Sequence, residues 1–257
     1  MKKNDYKGII LAGGSGTRLF PVTKVISKQL LPIYNKPMIY YPISTLINAG
    51  ITEIMIITTP QDQVLFKSLL GDGSQWGISF EYIVQNKPEG IAQALVLSSD
   101  WLGKSSVVLV LGDNLFFGPN ISDILKTSIR DNDGATLFGY KVDDPQRFGV
   151  VEFDNLKNVI SIEEKPLNPK SEWAVTGLYI YNSDAVNYAK DLKKSNRNEY
   201  EITDLNIRYL NEGLLKVELL GEQFSWLDTG THESLLDASN FVRKMEIEFG
   251  QKVGDLD

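Results

Sequence analysis

Short runs of consecutive apolar residues, several of them β-branched, recur through the first half of the chain at 8–12, 53–58, 79–84 and 106–111. Runs that are continuous rather than alternating predict strands buried on both faces. Segments 38–48, 61–70 and 91–102 lie between them with apolar residues at helical spacing, and Gly50, Gly71 and Gly103 stand where each helix should stop. This alternation predicts right-handed βαβ units: an α/β, Rossmann-like, mostly parallel central sheet with helices on both faces. The second half changes character. Strand-like runs at 135–140, 149–153, 159–162, 175–181 and 216–220 follow with shorter connections, and predict a mixed extension of the same sheet. Helical patterns return at 183–194, at 203–211 behind Glu201, and at 232–249.

The first apolar run empties into Gly13, Gly14, Ser15, Gly16, Thr17 and Arg18. Glycines permit positive φ and let main-chain N–H groups press against an anion, and Arg18 adds a planar, permanently charged fork. Two familiar glycine templates do not fit. The dinucleotide pattern counted from Gly14 and Gly16 requires glycine where Leu19 stands, and no Gly-Lys-Ser/Thr follows at Walker spacing. A plain tight turn is the competing reading. In parallel sheets ligands gather at the carboxyl ends of the strands. The glycine turn and Gly112-Asp113-Asn114 both fall at such ends, so one crevice is expected to join a phosphate cradle to an acidic group.

Composition narrows the chemistry. A chain of 257 residues has room for one large α/β domain or two small ones, and the lack of a repeat, low-complexity tract or Pro/Ser-rich linker favours one. Hydrophobic residues at 42% and charged residues at 23% are ordinary for a soluble protein, and no apolar run approaches the ~20 residues of a bilayer span. Behind Met1-Lys2-Lys3 the apolar stretch is too short for a signal peptide, and the absence of cysteine suits a reducing compartment, so a cytoplasmic protein without a membrane partner is expected. A net charge of −7 argues against nucleic acid as partner. His232 is the single histidine, so carboxylates are the expected metal ligands.

Downstream of the glycines stand Ser27-Lys28-Gln29-Leu30-Leu31-Pro32 and Lys36-Pro37-Met38-Ile39-Tyr40-Tyr41-Pro42. Further blocks follow: Gln85, Gly90-Ile91-Ala92-Gln93-Ala94, Gly112-Asp113-Asn114, Arg147-Phe148-Gly149, Glu163-Glu164-Lys165-Pro166, Thr176-Gly177-Leu178-Tyr179, Glu201-Ile202-Thr203-Asp204 and Trp226-Leu227-Asp228-Thr229-Gly230. In this order the chain resembles the sugar-phosphate nucleotidylyltransferases, and among them the glucose-1-phosphate thymidylyltransferases, along nearly its whole length.

The resemblance implies the nucleotide-diphospho-sugar transferase fold as a single domain, 1–257. A nucleotide-binding half would run to about 115, a sugar-phosphate-binding half from about 116 to 231, and a C-terminal helix would occupy 232–257. It implies dTTP and glucose 1-phosphate as substrates, Mg²⁺ as cofactor, and a homo-oligomer, tetramer or dimer. Asp113 and Asp228 are expected to hold the metal, although an aspartate in a turn is also an ordinary turn former. Arg18 would meet the departing pyrophosphate, Lys28 the triphosphate and Lys165 the sugar phosphate, and these three are the expected catalytic residues. Gly13, Gly14, Ser15, Gly16 and Thr17 would line the triphosphate, with main chain near Leu11, Gln85 and Gly90 at the base. Gly149, Glu164, Thr176, Gly177 and Glu201 would serve the sugar.

Two other functions stay open: the same chemistry with UTP or another hexose 1-phosphate, and a nucleotide-sugar binding or regulatory subunit that has lost catalysis. Trp226, Phe116, Phe117, Tyr40 and Tyr41 read as packing, and His232 as the structural start of a helix behind Thr231. Departures from the family pattern are few. Asn198 stands where glycine is usual, and asparagine tolerates a left-handed backbone. Asn86 replaces a common proline, and Gly118-Pro119 replaces Gly-His. The chain stops soon after Gly254, whereas relatives continue into a tail that helps form a feedback site, so weak inhibition by dTDP-rhamnose is expected.

Overall fold

A computed structural model describes residues 5–14 and 16–256. In chain order its main elements are β1 (Tyr6–Ala12), β2 (Pro32–Ile33), β3 (Lys36–Pro37), α1 (Tyr40–Asn48), β4 (Glu53–Thr58), α2 (Gln63–Leu70), β5 (Ser79–Val84), α3 (Gln93–Leu97), α4 (Ser99–Leu102) and β6 (Ser106–Leu111). They continue with β7 (Asn114–Phe117), α5 (Ile121–Arg130), β8 (Ala135–Lys141), β9 (Gly149–Phe153), β10 (Val159–Glu164), β11 (Trp173–Tyr181), α6 (Ala185–Asp191), α7 (Ile202–Asn211), β12 (Leu215–Leu220), β13 (Ser225–Asp228) and α8 (His232–Glu248). The fold divides into two compact units, each assembled from separate stretches of chain.

One unit comprises 7–88, 110–126 and 225–257. Its core is β1-α1-β4-α2-β5, in which β4 lies parallel to β1 (Gly8 opposite Ile54) and β5 parallel to β4 (Glu53 opposite Ser79). Ile9, Ile10 and Ala12 of β1 and Ile54, Ile56 and Ile57 of β4 are buried, which is why these strands read as unbroken apolar runs. Phe66 and Leu70, one turn apart on α2, are buried as well, each burial worth about 1.5–3 kcal/mol. The chain leaves α1 and α2 through Gly50 and Gly71, both at positive φ. A short antiparallel ladder of β7 with β13 completes this unit, and Tyr41, Met38, Leu115, Ala238, Val242 and Val253 form a cluster that seats α8.

Among the described residues the other unit comprises 5–6, 89–109 and 127–224. Here β12 runs parallel to β8, β8 antiparallel to β11, β11 antiparallel to β9, and β9 antiparallel to β10, the mixed arrangement expected of the second half. Strand β6 is divided, 106–109 belonging to this unit and 110–111 to the other.

Several elements differ from expectation. The helix predicted at 91–102 is broken at Ser98, whose φ of −90° and ψ of 4° leave the helical region, so α3 and α4 are separate. The helix predicted at 183–194 stops at Asp191 because Leu192 turns extended. Helix α5, the β7/β13 ladder and the β2/β3 pair were not foreseen.

Candidate active site

The glycine turn after β1 is shaped by close approach. A Cβ on Gly13 would lie 2.3 Å from Gln85 Oε1, so the buried amide of Gln85 packs directly on the turn. Gly14 and Gly16 take φ of 112° and 58°, which side-chain-bearing residues avoid. The carbonyl of Gly16 accepts from the Thr23 hydroxyl at 2.7 Å and from the Leu19 amide at 2.9 Å, closing the single helical turn that carries Thr17 and Arg18. Ser15 lies outside the described residues.

The Arg18 guanidinium rests on Gly230: a Cβ there would fall 2.8 Å from Nη2 and 3.2 Å from Nη1. A cavity of about 210 Å³ is lined by Gly13, Gly14, Gly16, Thr17, Arg18, Leu19, Lys28 and Gly230. A second, of about 670 Å³, extends from Gly14, Gly16 and Lys28 to Thr59, Asp62, Gln85, Asn86 and Pro88. The latter is in the size range of small-ligand pockets. Leu11 lies in β1 and lines neither cavity; its carbonyl accepts from the Gly112 amide at 3.0 Å.

The main chain at Asp113 and at Asp228, 115 residues apart in sequence, is brought together by the ladder. Asp228 pairs with Asn114, and both the amide and the hydroxyl of Thr229 donate to the Asp113 carbonyl, at 3.1 and 2.8 Å. Asp113 is buried, with Oδ2 receiving the Lys28 ammonium and Oδ1 receiving Asn114 Nδ2 at 3.0 Å. Burial alone would push its carboxyl up. The Lys28 charge and the two side-chain hydrogen bonds outweigh it and hold the group below the usual carboxylate range. Asn114 is braced in turn by Trp226 Nε1 at 2.6 Å, so Trp226 does more than fill the core.

Among the described residues no cluster of three or more His, Cys, Asp or Glu is placed to hold a metal. Mg²⁺ is ordinarily held by one or two carboxylates completed by water and substrate phosphates, so it does not require such a cluster. His232 opens α8, with Nε2 3.2 Å from the Phe20 carbonyl, and Thr231 caps that helix through Ser234.

The remaining predicted residues belong to the other unit. Glu164 ends β10 opposite Gly149 and accepts from the Thr203 hydroxyl and, at 3.1 Å, from Arg197 Nη2. A Cβ on Gly149 would come within 3.2 Å of Thr203 Oγ1 and 3.5 Å of Glu164 Oε2. Glu201, buried at the start of α7, accepts from Arg197 Nη2 at 2.6 Å, Arg197 Nε at 3.0 Å and Ser195 Oγ at 2.6 Å. Burial raises its carboxyl, but hydrogen bonds from Arg197 and Ser195 and the charges of Arg197 and Lys165 bring it below the normal range. Asp204 moves the opposite way, raised first by burial and then by Glu201 and Glu164.

Lys165 sits 3.7 Å from Glu164, at φ 45° with its amide bonded to the Phe148 carbonyl at 2.9 Å, so its backbone is tightly held while its side chain stays half exposed. Thr176, wholly buried on β11 beside Gly177, has a hydroxyl without a hydrogen-bond partner among the described residues. Gly90 packs against Tyr200, where a Cβ would lie 2.4 Å from the carbonyl oxygen. It therefore stands beside the Glu201 segment rather than in the unit that holds Gln85.

Arg197, which the sequence reading does not assign to the site, joins Glu164, Glu199 and Glu201. Its signal was the Arg197-Asn198-Glu199 block. Asn198 has the left-handed φ of 62° that its glycine-like position called for.

A family model for nucleotidyl transferases matches residues 7–245. The chain belongs to the nucleotidyl transferase family. Within that family it is 56% identical over 240 residues to the glucose-1-phosphate thymidylyltransferase of Neisseria gonorrhoeae, covering 93% of this chain and 83% of that one. It is 53% identical to the enzyme of the same name from Mycobacterium tuberculosis over 96% of this chain and 85% of the other. Among solved nucleotidyl transferase structures, one from Bacillus anthracis, assigned as a glucose-1-phosphate thymidylyltransferase and crystallised with sucrose, superposes with a TM-score of 0.86 at 46% identity. That match covers 93% of this chain and 95% of the other. A UDP-glucose pyrophosphorylase in complex with UDP-glucose, at 23% identity and a TM-score of 0.82, shares the fold. The α/β fold with its mostly parallel sheet is the one expected from the periodicity, and its Rossmann-like family form is the one the resemblance implies.

Proposed function

We propose that the protein transfers a thymidylyl group from dTTP to α-D-glucose 1-phosphate, giving dTDP-glucose and pyrophosphate. Relatives 48–57% identical over more than nine-tenths of the chain carry the corresponding name. The observation that carries the reading is the Lys28–Asp113 ion pair in the unit that bears the glycine turn and Arg18, with Asp228 on the strand paired alongside.

A sugar-phosphate oxygen attacks the α-phosphorus, the bond to the bridging oxygen of the β-phosphate breaks, and pyrophosphate carries the electron pair away. Such a transfer calls for positioning and charge neutralisation rather than a protein nucleophile. In this reading the glycine-turn amides, Thr17 and Lys28 bind the triphosphate, and Arg18 binds the departing pyrophosphate. Gln85 offers an amide donor and acceptor to the base, with main chain near Leu11 completing its surroundings. Lys165 holds the sugar phosphate, and Glu164 and Glu201, with Gly149, Thr176 and Gly177 alongside, accept from sugar hydroxyls. Asp113 and Asp228 are suited to hold Mg²⁺, which when bound spreads the developing phosphate charge.

Thymine differs from uracil by one methyl, worth only ~1–3 kcal/mol in an apolar pocket. UTP is therefore expected to be a slower substrate. Retention of Arg18, Lys28, Asp113, Lys165 and Asp228 together speaks against a purely binding subunit. Among the described residues no helix is long and apolar enough to cross a membrane, and we place the protein in the cytoplasm as a homo-oligomer. The deciding experiment is pyrophosphate release across a matrix of nucleoside triphosphates and hexose 1-phosphates with Mg²⁺. The dTTP and glucose 1-phosphate pair should give the highest kcat/KM, and silence across the matrix refutes the proposal.

A further inference from the structure

Asp62 occupies the N-cap position of α2 and does not use its side chain as a cap. An aspartate there ordinarily turns its carboxylate to the first-turn amides. Here only the main-chain carbonyl of Asp62 serves the helix, accepting from Leu65 and Phe66 at 2.9 and 3.1 Å. The carboxylate, 9% exposed, faces away: Oδ1 accepts the Ser27 amide at 3.0 Å and Oδ2 accepts the Thr59 hydroxyl. Burying a carboxylate against neutral donors is costly unless those bonds are well made, so the arrangement calls for a reason beyond helix capping.

That reason lies one residue further on. Ser27 directly precedes Lys28, whose ammonium bonds Asp113. On the other side of Lys28, Gln29 accepts from Ser27 Oγ at 2.6 Å and packs under Gly112, where a Cβ would lie 3.0 Å from Gln29 Cγ. The main chain on both sides of Lys28 is therefore anchored, by Asp62 before it and by the Gly112 turn after it, and a flexible lysine stem is left short freedom to miss its target. Asp62 and Lys28 also line the same 670 Å³ cavity.

We propose that Asp62 is a positioning residue for nucleotidyl transfer, holding the Ser27 main chain so that Lys28 reaches Asp113 and the triphosphate. The proposal rests on the reading of Lys28 as a triphosphate ligand. Its test is a double-mutant cycle of Asp62→Ala with Lys28→Ala, read by calorimetric Kd for Mg-dTTP and by kcat/KM. Asp62→Ala should weaken dTTP binding and lower kcat/KM for dTTP by ~10-fold, the order expected when a contact is displaced, with the KM for glucose 1-phosphate unchanged. Asp62→Asn should recover most of the loss, since an amide oxygen can accept from Ser27 while its NH₂ donates to Thr59. In a Lys28→Ala background Asp62→Ala should change dTTP binding by less than about twofold, because residues that act through one another are non-additive.

Wild-type values in Asp62→Ala, or an equal loss with and without Lys28, overturn the proposal. Should Asp62→Ala fail to fold, Ser27→Pro removes the same amide at a φ of −58° that proline accepts, and unchanged dTTP binding there overturns it as well. Lack of pyrophosphate release by the wild type would instead defeat the functional reading, while the calorimetric cycle still decides the role of Asp62.

Discussion

Lys165 and Glu201, both assigned to the sugar phosphate in the proposed function, are each held by local restraints. The left-handed backbone of Lys165, pinned to the Phe148 carbonyl, fixes where the side chain starts while leaving its ammonium half exposed. Lys165→Ala should lower kcat/KM for glucose 1-phosphate by ~10²-fold or more with an unchanged melting temperature, and near-normal kinetics would remove it from the site. Glu201 supplies a pH-dependent term. Burial works against its ionised form, Arg197 and Ser195 work for it, and the balance lies below the usual carboxylate value. A depressed folded-state value stabilises the fold fully above the unfolded value of about 4.3, and that contribution is lost as pH falls through the lower, folded value. Urea unfolding followed from pH 7 into acid should show this loss, and Arg197→Met should flatten that part of the profile.

At the scale of elements, short connections do more of the positioning than helices or strands. The Gly90 segment is locked onto Tyr200 by the Tyr200 amide to the Glu89 carbonyl at 2.7 Å, by the Ala92 amide to the Tyr200 carbonyl at 3.3 Å, and by a Lys194–Glu89 ion pair. Gly90→Ala forces a Cβ into that backbone at a φ of 105°, and should destabilise the protein by about 1–3 kcal/mol in chemical denaturation. A fall in affinity for both substrates is expected with it, since Tyr200 directly precedes Glu201.

Helix α5 was missed although Ile121, Ile124 and Leu125 recur at helical spacing, because polar residues dominate the segment and Gly118-Pro119-Asn120 announces a turn. The break at Ser98 was equally hidden, because serine in a helical pattern does not reveal whether its backbone will leave the helix.

For the molecule as a whole, the proposed function predicts that a divalent ion is needed for turnover and not for folding. Asp113 is already ionised and hydrogen-bonded through Lys28 and Asn114, and its neighbourhood to Asp228 is set by the β7/β13 ladder. Removal of metal with EDTA should abolish pyrophosphate release, addition of Mg²⁺ should restore it, and the far-ultraviolet circular dichroism should stay the same throughout. Loss of secondary structure on chelation would mean that the ion is structural.

Local chemistry was legible from the residues themselves. The parallel strands, the glycine turn behind β1 and the left-handed site at Asn198 depend on side-chain periodicity and φ preference, which act within a few positions of the chain. The functional roles were legible only by resemblance. Tertiary structure alone decided that the Asp113 turn would lie against the end of the Asp228 strand, that Lys28 would reach Asp113, that Arg197 would reach Glu164, and that the Asp62 carboxylate would turn from its helix to hold Ser27. Each of these depends on pairing between segments tens of residues apart, and no local propensity encodes which distant donor will satisfy a buried carboxylate.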